Sequence, residues 1–456
     1  MSDVSFASLG VPAGIVSALT HGGIDSPFPI QITTLPDTLA GRDVLGRGRT
    51  GSGKTLAFCI PMVARLSRGR TAGSPRARGP RGLVLAPTRE LATQITNVMR
   101  PLADAMHLRV TTIVGGVSHT RQVHALREGV DIIVATPGRV EDLMKQGVLR
   151  LDSIEMTVLD EADHMADLGF LPSVTRILTA TPPGGQRLLF SATLDNGVKK
   201  LVDRFLKDQL LHAVDEAHSP VAHMTHHVFE TRDGASKNAL IHTLASGTGR
   251  RILFMRTKHH AKKRAKTLTA AGIPSVDLHG NLSQPARDRN LASFSDGSVR
   301  VLVATDVAAR GVHVDNVDLV IHVDPPAEHK AYLHRSGRTA RAGAHGDVIT
   351  ICLPVQKKDV ADLLRKAGIS ATPTAVDSHS PEVRALVGDV ATYVQPAPPK
   401  NTEAGNAATQ GRSNGRNARR KRALRAGAPA TASRGASSGR VSKPSAPAQR
   451  QRTISR

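Results

Sequence analysis

A glycine-rich segment, Gly48-Arg-Thr-Gly-Ser-Gly-Lys54-Thr55, is the strongest constraint on the fold of this 456-residue chain. Two spaced glycines followed by Lys and Thr fit the phosphate loop, whose backbone N–H groups turn toward phosphates at the start of a helix. An ordinary strand-to-helix turn can carry the same glycines. A second, matching part of the site is therefore needed.

The sequence Asp160-Glu161-Ala-Asp163 supplies that part, because it directly follows Met156–Leu159, an apolar run typical of a buried strand. Lys54 is then expected to reach the β and γ phosphates. Mg²⁺ is expected between the hydroxyl of Thr55 and the carboxylate of Asp160, and Glu161 is expected to orient and deprotonate the attacking water. The predicted cofactor-binding loop comprises Arg49, Thr50, Gly51, Ser52, Gly53, Lys54 and Thr55. Together the two segments predict a nucleoside triphosphate and magnesium.

Short β-branched runs alternate with helical segments along the first two hundred residues, and the rhythm begins again after about residue 227. This pattern predicts two α/β domains with parallel sheets and helices on both faces. Polar loops follow the strands, so they gather at the carboxyl edge, where chemistry sits in such sheets. The second domain has no phosphate loop, so it would serve the same nucleotide from across a cleft, through Arg310 or the cluster from His334 to Arg341.

The net charge of +23 predicts a polyanionic partner, either nucleic acid or an anionic membrane surface. Membrane is the weaker choice, since no apolar run approaches the ~18 residues of a spanning helix and the N-terminus lacks the pattern of a signal peptide. We therefore expect no membrane partner and a cytoplasmic location. Residues 399–456 hold 14 Lys or Arg and one acid, a net charge of +13, which predicts a disordered tail that tethers nucleic acid electrostatically.

The order of these groups resembles the DEAD-box RNA helicase family across roughly residues 6 to 370. The segments that carry the resemblance, besides the phosphate loop and the four residues from Asp160, are Pro87-Thr-Arg-Glu-Leu-Ala, Gly115-Gly116, Thr136-Pro-Gly-Arg, Ser191-Ala-Thr193, Gln284-x-x-Arg287, Ala304-Thr-Asp-Val-Ala-Ala-Arg-Gly and His334-Arg-x-Gly-Arg-x-x-Arg. The resemblance implies two tandem RecA-like domains. The implied boundaries are 1–208 and 227–371 for the domains, 209–226 for a linker and 372–456 for an extension that is basic and disordered from about 397.

The resemblance also implies residue roles. Gln31 would select the adenine of ATP, with Phe6 packing near the base, and Arg338 and Arg341 would reach the γ-phosphate from the second domain. Hydrolysis would be coupled to domain closure through Asp163, Ser191, Thr193 and His334. The implied RNA-binding residues, which suit phosphates and 2′-hydroxyls rather than bases, are Arg89, Gly116, Thr136, Arg139, Thr257, Arg287 and Thr305.

Two departures from the family pattern stand out. His313 occupies a position where the family usually has an Asp that touches the ATP ribose, and Ile24 and Phe28 replace an aromatic residue and a Thr near the adenine site.

The expected function is RNA-stimulated ATP hydrolysis with local unwinding of RNA, in a bacterial protein that acts with ribosomal precursors or RNA-decay proteins. The alternatives are an ATP-locked RNA clamp or annealing factor and, third, a DNA-directed helicase.

Overall fold

Two seven-stranded sheets form the framework of the chain. The structure is a computed structural model and describes residues 4–48, 51–68, 79–213, 224–309, 314, 317–340 and 345–396. The strands of the first sheet are β1 (Val44–Arg47), β2 (Gly82–Leu85), β3 (Val110–Ile113), β4 (Ile132–Ala135), β5 (Met156–Leu159), β6 (Gln186–Ser191) and β7 (Leu210–Ala213). Those of the second sheet are β8 (Met224–Glu230), β9 (Arg251–Phe254), β10 (Ser275–Leu278), β11 (Val301–Ala304), β12 (Leu319–His322), β13 (Gly346–Cys352) and β14 (Pro373–Ala375).

The two sheets have the same topology. The first follows the order β3-β4-β2-β5-β6-β1-β7, and the second repeats it strand for strand as β10-β11-β9-β12-β13-β8-β14. Every strand pair in both sheets is parallel. The predicted pair of parallel α/β domains is confirmed. We call the two sheets, with their helices, the first and second domain.

Helices connect the parallel strands, as crossovers require. In the first domain they are α1 (Ala13–His21), α2 (Pro29–Leu39), α3 (Lys54–Leu66), α4 (Arg89–Ala105), α5 (His119–Arg127), α6 (Pro137–Lys145), α7 (Ala162–Asp167), α8 (Leu171–Thr179) and α9 (Asn196–Phe205). In the second they are α10 (Gly234–Ala245), α11 (Lys258–Ala270), α12 (Gln284–Ser295), α13 (Asp306–Ala309), α14 (His329–Ser336), α15 (Lys357–Ala367) and α16 (Pro381–Val387). No helix among these described residues is long and apolar enough to cross a membrane.

The central strands of each sheet are buried on both faces, so the successive side chains of a strand, which point to opposite sides, enter two different cores. In β2, Val84 joins one apolar core of the first domain, while Leu83 and Leu85 join the other. In β9, Leu253 and Ile252 divide in the same way between the two cores of the second domain. Strand bodies are therefore apolar, and polar side chains collect beyond the strand ends.

The last described residues lie along the second domain. Val390 forms an isolated antiparallel bridge with Gly247, and the N–H of Val394 donates to the carbonyl of Gly272 at 3.0 Å. A Cβ atom on Gly272 would come within 2.0 Å of the Tyr393 ring, so this ring packs directly on the glycine that ends α11. The segment leading to Pro396 is thus held against the end of α11.

A partly buried histidine, His226, gives the second domain a pH-dependent stability. Burial, together with the charge of His227, lowers the pKa of His226 to about 4, and its Nδ1 lies 2.9 Å from the Tyr332 hydroxyl. The unfolded chain takes up this proton near the ordinary value of 6.5, so stability is present above pH 6.5 and is lost as the pH falls toward 4. Between pH 7 and pH 5 the loss should be about 2 kcal/mol. Urea unfolding at both pH values, compared with His226→Gln, measures it; equal pH dependence in the two proteins would contradict the assignment.

Candidate active site

The phosphate loop joins β1 to the N-terminus of α3 in the first domain. Gly51 and Gly53 have φ values of +90° and +88°, a left-handed conformation that favours glycine. A Cβ on Gly53 would also lie 2.7 Å from the amide nitrogen of Gln31. Lys54, the first residue of α3, is buried, and its Nζ donates to the carbonyl of Gly48 at 2.5 Å. Arg49 and Thr50 lie outside the described residues.

The amide of Gln31 ties α2 to the phosphate loop. It is fully buried, donates through Nε2 to the carbonyl of Gly53 at 2.8 Å, and accepts through Oε1 from the N–H of Phe28 at 2.9 Å. Phe28 is half exposed, and its side chain lies against Gly53. Phe6, in contrast, is buried in the apolar core of the first domain. The roles of Gln31 and Phe6 toward adenine stay predictions.

Asp160 follows β5 at the carboxyl edge of the sheet and faces the phosphate loop. Burial, together with the charges of Glu161 and Asp163, raises its pKa to about 7 against the opposing charge of Lys54. Three carboxylates crowded beside one lysine favour a bound cation. The hydroxyl of Ser52 is buried without a hydrogen-bond partner among the described residues. These groups fit a magnesium-bound phosphate, which would supply the acceptors and the positive charge that they lack.

Glu161 has an unusual backbone conformation, with φ at +50° and ψ at 53°, at the N-terminus of α7. Left-handed conformations at non-glycine residues are strained and concentrate at functional sites. Burial raises the pKa of Glu161, but the hydrogen bond and charge of His164, with the charges of Arg338 and Lys54, lower it to about 2. His164 Nδ1 lies 3.2 Å from Oε2 of Glu161. The carboxylate is therefore ionised and positioned by groups from both domains.

Sequence reasoning missed His164, which is almost completely buried beside Glu161. Its signal was the helical spacing, since residues three apart on a helix lie on the same face. The ring of His164 lies 6.4 Å from the ring of His334 in the second domain. This contact links the acidic segment of one domain to α14 of the other.

Asp163 connects the acidic segment to the loop after β6. Its Oδ2 accepts hydrogen bonds from the N–H and the hydroxyl of Thr193 at 2.9 and 3.0 Å. Its own N–H donates to the Ser191 hydroxyl at 3.2 Å, and that hydroxyl donates to the Thr193 carbonyl at 2.8 Å. The structure brings these three residues together, while their coupling of hydrolysis to closure stays a prediction.

Arg338 reaches the site from the loop after α14. It is buried, its Nε donates to the carbonyl of His334 at 3.2 Å, and its charge acts on Glu161 of the first domain. The neighbouring Arg335 is held elsewhere, by two hydrogen bonds to Asp306 at 2.5 and 2.7 Å. Arg341, Arg310 and His313 lie outside the described residues.

A groove of about 570 Å³ lies where the two domains meet. Of the residues predicted to bind RNA, Arg89, Thr136, Arg139 and Arg287 line it. Gly116, with φ at +76°, lies under the Arg89 guanidinium, which leaves no room for a Cβ. Thr257 and Thr305 do not line this groove; each stands at the start of a helix, α11 and α13 respectively.

A buried ion pair joins the domains beside this groove. Arg287 Nε donates to Oε1 of Glu90 at 2.7 Å, and Gln284 Nε2 donates to the same oxygen at 3.1 Å. Gln284 Oε1 in turn accepts from Arg89 at 3.2 Å. Sequence reasoning missed Glu90 and Gln284 as contact residues, because nothing in the sequence indicates which residues face each other across the cleft. A second pair between the domains, Lys330–Asp195 at 3.0 Å, is more exposed.

The fold and the site define a protein of two tandem RecA-like domains with a phosphate loop and an acidic pair at their cleft. The family description "DEAD/DEAH box helicase" matches residues 28–201, and "Helicase conserved C-terminal domain" matches residues 235–343. "RNA helicase CrhR" of Synechocystis sp. is 38% identical over 356 residues, which cover 78% of this chain and 71% of that protein. The chain belongs to the DEAD-box RNA helicase family.

Other relatives are longer. "DEAD-box ATP-dependent RNA helicase 3B, chloroplastic" of Zea mays is 42% identical over 373 residues, 80% of this chain but 50% of that protein. The chain thus spans about half the length of the first curated relatives it matches. Among solved structures, "S. cerevisiae Dbp5 bound to RNA and ADP BeF3" matches with a TM-score of 0.73 and 27% identity over 84% of this chain and 100% of that chain.

Proposed function

We propose that this protein is an ATP-dependent RNA helicase whose ATP hydrolysis is stimulated by RNA and which locally unwinds RNA duplexes. The observation that carries the proposal is that groups of both domains act on one carboxylate. The charges of Lys54, in the first domain, and Arg338, in the second, both lower the pKa of Glu161. A site divided between two domains is complete only when they close. RNA that binds both domains would therefore promote hydrolysis.

The chain's own residues suit the steps of phosphoryl transfer. The phosphate-loop N–H groups and Lys54 would hold the phosphates, and Thr55 and Asp160 would hold Mg²⁺, which supplies charge neutralisation of the β and γ oxygens. Glu161 would orient the attacking water. Arg338 and, with it, Arg341 would stabilise the charge that develops on the transferring group.

The groove between the domains favours RNA recognition without sequence preference. Its lining includes three arginines, two threonines and three glycines, and such groups contact phosphates and sugars. Aromatic residues make up only 2% of the chain, so platforms for stacked bases are scarce. RNA bound here would touch Arg89 and Arg139 of the first domain and Arg287 of the second.

Steady-state ATP hydrolysis with and without single-stranded RNA tests the proposal. RNA should strongly stimulate ATP hydrolysis, and this stimulation should be absent in Glu161→Gln. Unwinding of a short duplex should require bound ATP. Tight RNA binding with negligible hydrolysis would instead support the clamp or annealing function. A response to DNA alone would support a DNA-directed helicase.

The buried Glu90–Arg287 pair should contribute more to domain closure than the less buried Asp195–Lys330 pair. Glu90→Ala leaves Arg287 as a buried charge without its carboxylate, at a cost of about 3 kcal/mol, or roughly a hundredfold. Lys330→Ala should cost less than about 1 kcal/mol. Fluorophores on the two domains report the closed fraction as RNA and ATP are titrated. Equal shifts of the midpoint in the two variants would contradict this ranking.

The basic tail, which lies outside the described residues, is expected to add a salt-sensitive tether. Deletion of residues 397–456 removes most of the excess charge and should weaken RNA affinity and flatten its dependence on salt. The hydrolysis rate at saturating RNA should change little. Filter binding at several salt concentrations measures the slope, and an unchanged slope would rule out the tether.

The cellular setting is a finer proposal. The relatives include "RNA helicase CrhR" and "ATP-dependent RNA helicase RhlB" of Xanthomonas oryzae, which supports a bacterial, cytoplasmic protein. We assign it to ribosome assembly or RNA decay. Sequencing of the RNA crosslinked to the protein in cells would distinguish ribosomal precursors from messenger RNA.

A further inference from the structure

The second domain contains a long stretch without any acidic residue. Residues 234–276 include nine Lys or Arg and no Asp or Glu. Much of this charge lies on α11, where Lys258, Lys262, Lys263 and Lys266 are all exposed. A solvated surface helix normally mixes both signs of charge. This face of α11 does not, which distinguishes it from an ordinary surface.

The charges on this face are not neutralised within the described part of the chain. Lys262, Lys263 and Lys266 have no carboxylate partner there, and Lys258 contacts only the side-chain oxygen of Asn281, at 3.0 Å. Lys258, Lys262 and Lys266 follow each other at intervals of four residues, a spacing at which like charges destabilise a helix. An anionic partner along the face would turn this repulsion into attraction.

The geometry of the stripe suits a polyanion strand. Three lysines four residues apart rise by about 6 Å per step along one side of the helix. That separation is similar to the distance between neighbouring phosphates of an extended RNA strand. Thr257, a residue already implied in RNA binding, begins the same helix. Lys258 contacts Asn281, which lies in sequence between Gly280 and Leu282 of the groove lining, so the row of lysines begins beside the proposed RNA site.

An exposed aromatic ring marks the other end of α11. Tyr393 is 64% exposed and rests on Gly272, whose missing side chain lets the ring lie directly on the helix terminus. The hydrogen bond from Val394 to the Gly272 carbonyl fixes the backbone beside it. The only other tyrosine, Tyr332, is fully buried. An exposed ring that packs at the end of the helix carrying these lysines is suited to stack on a base.

We propose that the exposed face of α11, with Tyr393 at its end, is an accessory site for single-stranded RNA, in which Lys258, Lys262, Lys263 and Lys266 bind phosphates and Tyr393 stacks on a base. The inference rests on the proposed function, since it lengthens the RNA path of the same enzyme. It predicts that long RNA binds more tightly than RNA that fills the cleft alone.

The test uses the full chain with Lys262→Gln, Lys263→Gln and Lys266→Gln combined. For a long single strand, the slope of the logarithm of the binding constant against the logarithm of salt concentration should become shallower by about 2, at about 0.7 per lost phosphate contact. The affinity should fall roughly tenfold at low salt. Binding of a strand short enough to occupy only the cleft should not change, nor should kcat at saturating RNA. The matched control combines Lys199→Gln, Lys200→Gln and Lys207→Gln, three exposed lysines of the first domain, and should keep the normal slope.

Substitution of Tyr393 separates stacking from charge. Tyr393→Ala should weaken long-strand binding severalfold without changing the salt slope, and Tyr393→Phe should keep normal binding because the ring is retained.

Equal slopes in the lysine variant and the wild type, with RNA-stimulated hydrolysis intact, would overturn the accessory site alone. Absence of RNA stimulation in the wild type and the control would overturn the proposed function. Loss of binding to anionic phosphatidylserine vesicles with unchanged RNA binding would assign the face to a membrane surface and overturn the RNA assignment.

Discussion

Arg338→Ala is expected to lower RNA-stimulated kcat by about 10³- to 10⁵-fold, the range found for arginines that stabilise a transferring phosphoryl group. Arg338 is buried at the cleft, and its charge acts on Glu161 of the opposite domain. Alanine removes this charge from the site without altering the phosphate loop. Binding of ATP to the first domain should therefore be nearly normal. The rate of phosphate release, measured in samples quenched at successive times with saturating RNA and ATP, gives the effect.

The control for Arg338 is Arg365→Ala, on α15 of the same domain. Arg365 is 73% exposed, and its one ion pair with a described residue is to Asp362 on its own helix, so its loss should leave kcat within about twofold. Arg338→Lys separates charge from geometry, since an ammonium group keeps the charge but cannot form two parallel hydrogen bonds. If Arg338→Ala hydrolyses ATP at a rate close to that of the control, Arg338 does not stabilise the transferring phosphoryl group.

Glu161→Gln is expected to lower kcat by about 10²- to 10⁴-fold while ATP and RNA still bind. Glutamine preserves the size and one hydrogen-bonding oxygen but removes the negative charge. The pKa of about 2 makes Glu161 a weak base, so its main contribution should be to orient and polarise the water rather than to keep its proton. Because the carboxylate is ionised well below neutral pH, its titration should not limit hydrolysis between pH 6 and 8.

Single-turnover hydrolysis and equilibrium binding of an ATP analogue distinguish loss of chemistry from loss of binding in this variant. Glu155→Gln, at a partly exposed surface pair with Arg81, serves as the control and should behave like the wild type. Comparable hydrolysis by Glu161→Gln and the wild type would remove Glu161 from the chemical step. Loss of ATP binding would instead indicate that the substitution disturbs the phosphate loop.

The phosphate loop and the acids after β5 were predictable because local physical chemistry dictates them. Glycines at positive φ and a lysine at the start of a helix require no distant partner, and an apolar run bounded by Asp160 predicts a buried strand with polar groups at its end. The alternation of strands and helices likewise predicted both sheets. The identical strand order of the two sheets could not be predicted from the sequence, because the neighbours of a strand depend on packing between segments far apart in the chain.

The sequence by itself determined the two parallel α/β domains, the phosphate loop and the chemical type of the site, since each follows from local periodicity and residue chemistry. Only the tertiary structure decided that Arg287 pairs with Glu90, that the charge of Arg338 acts on Glu161 and that Tyr393 lies on Gly272. These are contacts between surfaces whose mutual orientation no local pattern encodes. Neighbouring groups also set the opposite pKa shifts of Asp160 and Glu161: burial raises the pKa of both carboxyls, but the hydrogen bond and charge of His164, with the charges of Arg338 and Lys54, lower that of Glu161.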